Sequence, residues 1–129
     1  MTPVVFDHTA LAVLGRGNPA LSKLVDDAAV KAGRVVFVPT LCLAAATAER
    51  HGTDDHAFVL PNVEFPELRY PGASVIGKLM AEGADWRMAH AVAVGRPSLE
   101  FPGGLPVVTA IPEQYKDLGV TVIPIPHLN

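Results

Sequence analysis

The sequence predicts a three-layer α/β/α domain with a mostly parallel central sheet, and two patterns carry this prediction. Short, continuous apolar runs are typical of strands that are buried on both faces. Segments with helical apolar periodicity separate these runs, in the order β-α-β-α-β-α-α-β-α-β, with the third strand at an edge. The 129 residues are half apolar and 18% charged. This composition excludes a disordered chain and predicts one domain over residues 1–129.

The first strand is predicted over Val4–Phe6 and the second within RVVFVP. A helix-like stretch, Thr9–Leu14, follows the first strand, and a helix in PALSKLVDDAAVKAG leads to the second. Asn18 can cap that second helix and Gly33 can end it. The next segment, TLCLAAATAERHG, predicts a helix that begins near Thr40.

The second half of the chain continues the alternation. Prolines flank VEF, which suits an edge strand only. ASVIGKLMAEG predicts a helix with Val75, Ile76, Leu79 and Met80 on one side, and DWRMAHAVAVG predicts another that begins at Asp85. PVVTA, IPEQYKDLG and VTVIPI then predict a strand, a short helical turn and the last strand.

Bulk composition limits the classes of function. The net charge of −3 argues against broad binding of nucleic-acid backbones, which favours a basic excess. The single cysteine, Cys42, cannot form an intrachain disulfide and lies in an apolar run, which predicts a buried thiol and a cytoplasmic protein. The most apolar stretch contains Pro39 and is too short to cross a bilayer, so no membrane partner is expected.

Two aspartates stand at places where a parallel sheet builds its sites. Asp7 directly follows the first strand, and ligand sites in such sheets gather at the carboxyl ends of strands. Asp85 opens a helix. Each can be a helix N-cap, a site carboxylate or both, and the local pattern leaves these alternatives open.

Other candidate clusters are weaker. ERHGTDDH contains five side chains of metal-ligand type, but its spacing matches no closed zinc pattern, and its Gly-Thr step predicts an exposed turn. GRGN lacks the third glycine of a dinucleotide fingerprint and follows a helical stretch. His8 and His90 are interpreted as packing or surface histidines.

Taken together, four segments resemble the motifs of a PIN domain, the fold of many toxin-antitoxin ribonucleases. VVFDHTALAVL resembles the first motif, with Asp7 and then Thr9. VFVPTLCLAAATAER is similar to the second, ADWRMAHAVAVG to the third, and PVVTAIPEQYKDLGVTVIPI to the closing strand, short helix and last strand. The resemblance covers nearly the whole chain and rests on the order and spacing of these segments.

The resemblance implies a metal site that is incomplete here. PIN nucleases gather three or four carboxylates around Mg²⁺ or Mn²⁺, which polarise the phosphate and activate water. Asp7 and Asp85 match two of these ligands, and Thr9 and Thr109 match their polar neighbours. Two expected acids are missing, because alanine and isoleucine occupy positions 45 and 111.

Glu113 is the favoured substitute for a missing acid, ahead of Glu49, because Glu49 lies a full helical turn beyond Ala45. His90 is five residues from Asp85 and is expected to point away from it.

Two functions therefore compete. The favoured hypothesis is a weakly active or non-catalytic PIN-like module for binding or assembly, and the alternative is a metal-dependent ribonuclease. A third interpretation, an unrelated flavodoxin-like domain, is weakened because no glycine-rich loop follows the first strand. The possible partners implied are RNA, an antitoxin-like protein and a second copy of the chain. Asp7→Asn is expected to cost little fold stability.

Overall fold

The computed structural model describes residues 3–30 and 35–125. In this part of the chain it has five strands, six α-helices and one short 3₁₀-helix. In chain order they are β1 Val4–Phe6, α1 His8–Gly15, α2 Pro19–Val30, β2 Val36–Phe37, α3 Thr40–Glu49, α4 Thr53–Phe58, β3 Val63–Glu64, α5 Tyr70–Ala81, α6 Trp86–Gly95, β4 Val107–Thr109, the 3₁₀-helix Pro112–Tyr115 and β5 Val122–Pro124.

The five strands form one sheet in the order β3-β2-β1-β4-β5, and every neighbouring pair is parallel. Strand β1 is central: Val5 pairs with Phe37 of β2 on one side and with Val107 of β4 on the other. This arrangement confirms the predicted α/β class. It also confirms β3 as an edge strand.

Helices cover both faces of the sheet, so the domain has three layers, with the sheet between two layers of helices. Successive side chains of a strand point to opposite faces. Val4 and Phe6 accordingly pack in one core cluster with α1 and α2, whereas Val5 packs in the other with α5 and α6. Strands buried on both faces explain why the sequence shows continuous apolar runs instead of alternation.

The chain order also fixes where the strand ends meet. From β1 the chain crosses to β2 on one side, and it returns later to place β4 on the other side. Such a reversal of strand order leaves a crevice at the carboxyl ends of the two strands. Asp7 directly follows β1, and Thr109 is the last residue of β4.

The structure corrects the sequence prediction in the ERHGTDDH segment. A turn is present at His51 and Gly52, as expected, but it leads into the unpredicted helix α4, and Gly52 precedes that helix with a φ of 94°, a conformation that favours glycine. The Thr53 hydroxyl donates to the Arg50 carbonyl at 2.7 Å, which stabilises this start. Helix α5 begins at Tyr70, earlier than predicted; Ile76 and Leu79 of its apolar side are buried, whereas Met80 is 47% exposed. The predicted helix stop at Gly33 lies outside the described residues.

Candidate functional site

A cleft of about 350 Å³ opens at the carboxyl ends of β1 and β4, beside the first turns of α1 and α6. This is the position that the topology favours for a ligand site. Its lining comes from α1, α3, α6 and the segment after β4. The lining residues are His8, Thr9, Ala12, Val13, Arg16, Glu49, Asp85, Arg87, Met88, Ala110, Ile111 and Gln114.

Asp7 lies behind this cleft and does not line it. Its side chain is fully buried, and its Oδ1 accepts hydrogen bonds from the Ala10 amide at 2.9 Å and the Thr9 hydroxyl at 2.6 Å. Its Oδ2 accepts from the Tyr115 hydroxyl at 2.7 Å. Asp7 is therefore the N-cap of α1, and both carboxylate oxygens already have donors from the protein.

Tyr115 covers Asp7 from the 3₁₀-helix that follows β4. Its side chain is buried, and burial together with the nearby Asp7 charge raises the pKa of the phenol. The hydroxyl therefore keeps its proton and remains a donor to the carboxylate. The sequence did not predict this hydrogen bond, because the order of residues in IPEQY does not indicate which side chain points into the core.

Thr9 and Thr109 join the ends of the two central strands. Their hydroxyl oxygens are 3.2 Å apart, and the Ala110 amide donates to Thr9 Oγ1 at 2.9 Å. The Ile111 amide donates to Thr109 Oγ1 at 3.0 Å. The two threonines thus fix the chain that leaves β4 against the start of α1.

Asp85 lies at the mouth of the cleft as the N-cap of α6. Its Oδ1 accepts from the Arg87 amide at 2.9 Å and from Arg87 Nε at 3.1 Å. Its Oδ2 accepts from Arg87 Nη2 at 2.7 Å. These hydrogen bonds, with the Arg87 charge, lower the pKa of Asp85 to about 2. Asp85 is therefore ionised and paired.

Arg87 also reaches across the cleft to α3. Its Nη1 is 3.4 Å from Oε1 of Glu49, which lines the cleft one helical turn beyond Ala45. The guanidinium thus lies between two carboxylates, Asp85 and Glu49, and both raise the pKa of Arg87. The positive charge between these two carboxylates is therefore supplied by the chain itself, through Arg87.

The remaining predicted residues fall in different places. Glu113 is exposed on the 3₁₀-helix and does not line the cleft, whereas its neighbour Gln114 does. Ala45 is buried in the protein core, and Ile111 lines the cleft. The sequence favoured Glu113 over Glu49 as the substitute acid, but in the structure Glu49, not Glu113, lines the cleft together with Asp85.

Two buried groups complete the surroundings of the cleft. His8 lines it with a side chain that is 5% exposed, and its Nδ1 has no hydrogen-bond partner among the described residues. Cys42 is buried on α3 and donates to the Arg87 carbonyl at 3.4 Å. Burial raises the pKa of this thiol, which keeps it protonated and unreactive.

The donor set does not fit a divalent metal. Hard cations such as Mg²⁺ need several oxygen ligands with free lone pairs directed at one point. Asp7 is sealed by three donors, and Asp85 faces a guanidinium. Over residues 3–30 and 35–125, no group of three or more His, Cys, Asp or Glu side chains could hold a metal ion.

One comparison with known proteins, that with solved structures, bears on the fold. No family model and no curated protein matches the chain. A solved structure, the VapBC2 complex from Rickettsia felis bound to a DNA fragment from its promoter, matches with a TM-score of 0.61 and 10% identity. The match covers 95% of this chain and 98% of the matched chain. The all-parallel sheet and this likeness define a PIN-like fold, as the sequence motifs predicted.

None of the described helices combines the length and the apolar composition that a membrane span requires. The longest of them, α2 and α5, have 12 residues each. A span of the hydrocarbon core takes about 20 residues of α-helix.

Proposed function

We propose that this chain is a non-catalytic PIN-like module for binding or assembly. One observation carries the proposal: both carboxylates at the family's metal positions are already bound by donors of the same chain. Releasing Asp7 would strip three hydrogen bonds from a buried group, and each buried partner left unpaired costs about 1–3 kcal/mol. A metal would have to offset this cost before it gained any ligand.

The partner that we favour is a protein of antitoxin type that docks over the cleft. Support comes from the Rickettsia felis structure, which contains the VapBC2 complex. The rim of the cleft offers both signs of charge, with Arg16 and Arg87 beside Glu49 and Asp85. Mixed charges of this kind suit a protein partner with complementary side chains better than they suit a uniformly anionic backbone.

The second candidate is a Mg²⁺- or Mn²⁺-dependent ribonuclease, and one observation favours it. Glu49 and Asp85 both line the cleft, and the Arg87 side chain, which is 42% exposed, bridges them. If a substrate phosphate drew this guanidinium away, two carboxylates would face the cleft. Water and substrate oxygens could then complete a metal shell.

Calorimetric titration of Mg²⁺ and Mn²⁺, run beside an RNA-cleavage assay, separates the two candidates. For the module we expect no saturable heat up to millimolar metal and no cleavage above background. Saturable binding and cleavage that are both lost in Asp7→Asn and Asp85→Asn would instead establish the nuclease. Thermal melting of each variant verifies that a lost signal does not come from unfolding.

The choice of partner needs a separate experiment. Size-exclusion chromatography with light scattering measures whether the chain forms a homodimer, and fluorescence anisotropy with a labelled single-stranded RNA measures RNA binding. We expect RNA affinity to be weak at physiological salt and to fall further as salt rises. Tight RNA binding that Arg16→Gln and Arg87→Gln weaken would contradict a protein partner at the cleft.

A further inference from the structure

A second cavity of about 600 Å³ lies between the first turn of α5 and one face of α6. It is larger than the cleft and shares none of its lining residues. The segment Glu67–Gly72 forms one wall. His90, Ala93 and Val94 of α6 form the other, and their spacing of three and four residues places them on one face of that helix.

His90 is the polar centre of this cavity. Its side chain is 3% exposed, and its Nδ1 accepts a hydrogen bond from the Leu41 amide at 3.2 Å. This contact has a structural reason, because the N-cap of α3 is Pro39, which has no side-chain acceptor for the first amides. His90 therefore caps α3 from a neighbouring helix.

The same contact fixes the tautomer of His90. A ring nitrogen that accepts a hydrogen bond carries no proton, so the neutral ring must carry its proton on Nε2. Burial lowers the pKa of His90 and favours this neutral form. No described residue accepts from Nε2, so the ring lines the cavity with an N–H donor that lacks a partner.

The start of α5 opens into the same cavity and adds further donors. Arg69, the N-cap residue, makes no side-chain cap bond, and Pro71 has no amide hydrogen. Among the described residues, no acceptor binds the amides of Tyr70 and Gly72. These groups and the helix dipole favour negative charge at this end. The exposed Arg69 guanidinium lines the same wall.

From the unpaired His90 donor, the free α5 amides and Arg69, we propose that this cavity binds an organic oxyanion, a carboxylate or phosphate carried on an apolar body. The anionic group accepts from His90 Nε2, the α5 amides and Arg69. The apolar body packs on Pro71, Ala93 and Val94. Glu67 is the one acidic residue in the lining, and it opposes the bound charge. This site is independent of the function proposed for the cleft.

Titration monitored by ¹H–¹⁵N correlation spectra tests the proposal, with benzoate, phenyl phosphate, acetate and inorganic phosphate at constant ionic strength. We expect saturable shifts of the Gly72 amide and the His90 ring nitrogen. The two aromatic anions should bind more tightly than acetate and inorganic phosphate, because they fill the apolar wall. The tighter of the two aromatic anions then identifies carboxylate or phosphate as the natural group.

Charge variants give the sign of each contribution. Arg69→Gln should raise Kd about fivefold, because it removes a charge-assisted hydrogen bond, and Glu67→Gln should lower it about twofold. The matched control is Lys23→Gln, which removes an exposed cation of α2 on the other face of the sheet and should leave Kd unchanged.

Absence of saturable shifts up to about 50 mM anion, which is weaker than any specific site of this kind, would overturn the proposal. Equal effects of Arg69→Gln and Lys23→Gln would overturn it too, since they would show only general attraction to positive charge.

Discussion

The carboxylates at the strand-end cleft and the His90 ring in the cavity between α5 and α6 differ in how their hydrogen bonds are met. In the cleft, the carboxylates of Asp7 and Asp85 have their hydrogen bonds supplied by Thr9, Tyr115 and Arg87. In the cavity, no residue of the described ranges accepts from the His90 N–H. A polar group that is satisfied from within contributes to stability, whereas one left unpaired in a cavity is available to a ligand.

The largest expected effect is on Asp7. Asp7→Ala removes the α1 cap and leaves the Tyr115 hydroxyl and the Ala10 amide without their acceptor, so we expect a loss of about 3 kcal/mol or more in unfolding free energy. Asp85→Ala removes a cap at a partly exposed position and should cost about 1 kcal/mol. Urea unfolding measures both. Equal losses would show that the sealing of Asp7 has no structural value.

Asp7→Asn separates the cap from the charge. The variant keeps an oxygen for the Ala10 amide but places the NH2 group, a donor, opposite the Tyr115 hydroxyl. The sequence alone predicted that this substitution costs little fold stability. The buried three-donor geometry now predicts a loss of about 1–2 kcal/mol, between the effects of alanine and of no change. A loss under experimental error in urea unfolding would restore the earlier expectation.

Tyr115→Phe tests the second carboxylate oxygen alone. It deletes one hydroxyl and keeps the ring, so Asp7 Oδ2 loses its donor inside the core, with an expected loss of about 1.5–3 kcal/mol for a hydrogen bond to a charged group. The matched control is Tyr70→Phe, because Tyr70 is 88% exposed and its hydroxyl bonds to no residue in the described part of the chain. Thermal or urea unfolding of the pair should therefore differ clearly. Similar effects would place the stabilisation in the ring instead of the hydroxyl.

Arg87→Gln should have a small effect on stability and a visible effect on acid titration. Its side chain is 42% exposed, so solvent screens the ion pairs and their loss should change the free energy of unfolding little. The pKa of Asp85 is lowered to about 2 from 3.8, so the pair stabilises the fold above pH 3.8 and loses this contribution as pH falls toward 2. In the variant the pKa should rise toward 3.8. Carboxyl NMR measures the titration, and an unchanged midpoint would contradict control by Arg87.

The smallest expected effect is the pH dependence from His90. Burial lowers its pKa in the folded chain below the ordinary 6.5, so the unfolded chain binds more protons as pH falls below that value. Stability should be complete above pH 6.5 and should decline below it. His90→Gln keeps an acceptor for the Leu41 amide and should flatten this decline in unfolding curves between pH 7 and pH 5. A steeper decline in the variant would refute the neutral ring.

The fold was largely predictable, because burial on both faces leaves a direct trace in the sequence. The apolar runs around Val4–Phe6 and Val107–Thr109 became the two strands that meet at the cleft. Helix α4 was missed because its start depends on the left-handed conformation of Gly52, and the polar run after it lacks an apolar stripe.

The candidate site was only partly predictable. Asp7 and Asp85 could each be a cap or a ligand, and both cap a helix. Their partners could not be predicted, because Tyr115 is 108 residues from Asp7 in sequence and meets it only through the sheet. Helix spacing favoured Glu113, because Glu49 lies a full turn beyond Ala45. It did not predict that the long Arg87 side chain reaches from α6 to Glu49.

Arg87 makes the charge of the cleft depend on one side chain. Its guanidinium offsets one of the two negative charges of Asp85 and Glu49. Replacing it by a neutral residue would change the local charge by one unit. A designer who wished to build a cation-binding pocket into this scaffold would begin at position 87 and would leave the helix caps intact. The same position offers the simplest way to install a charge preference for a different partner surface.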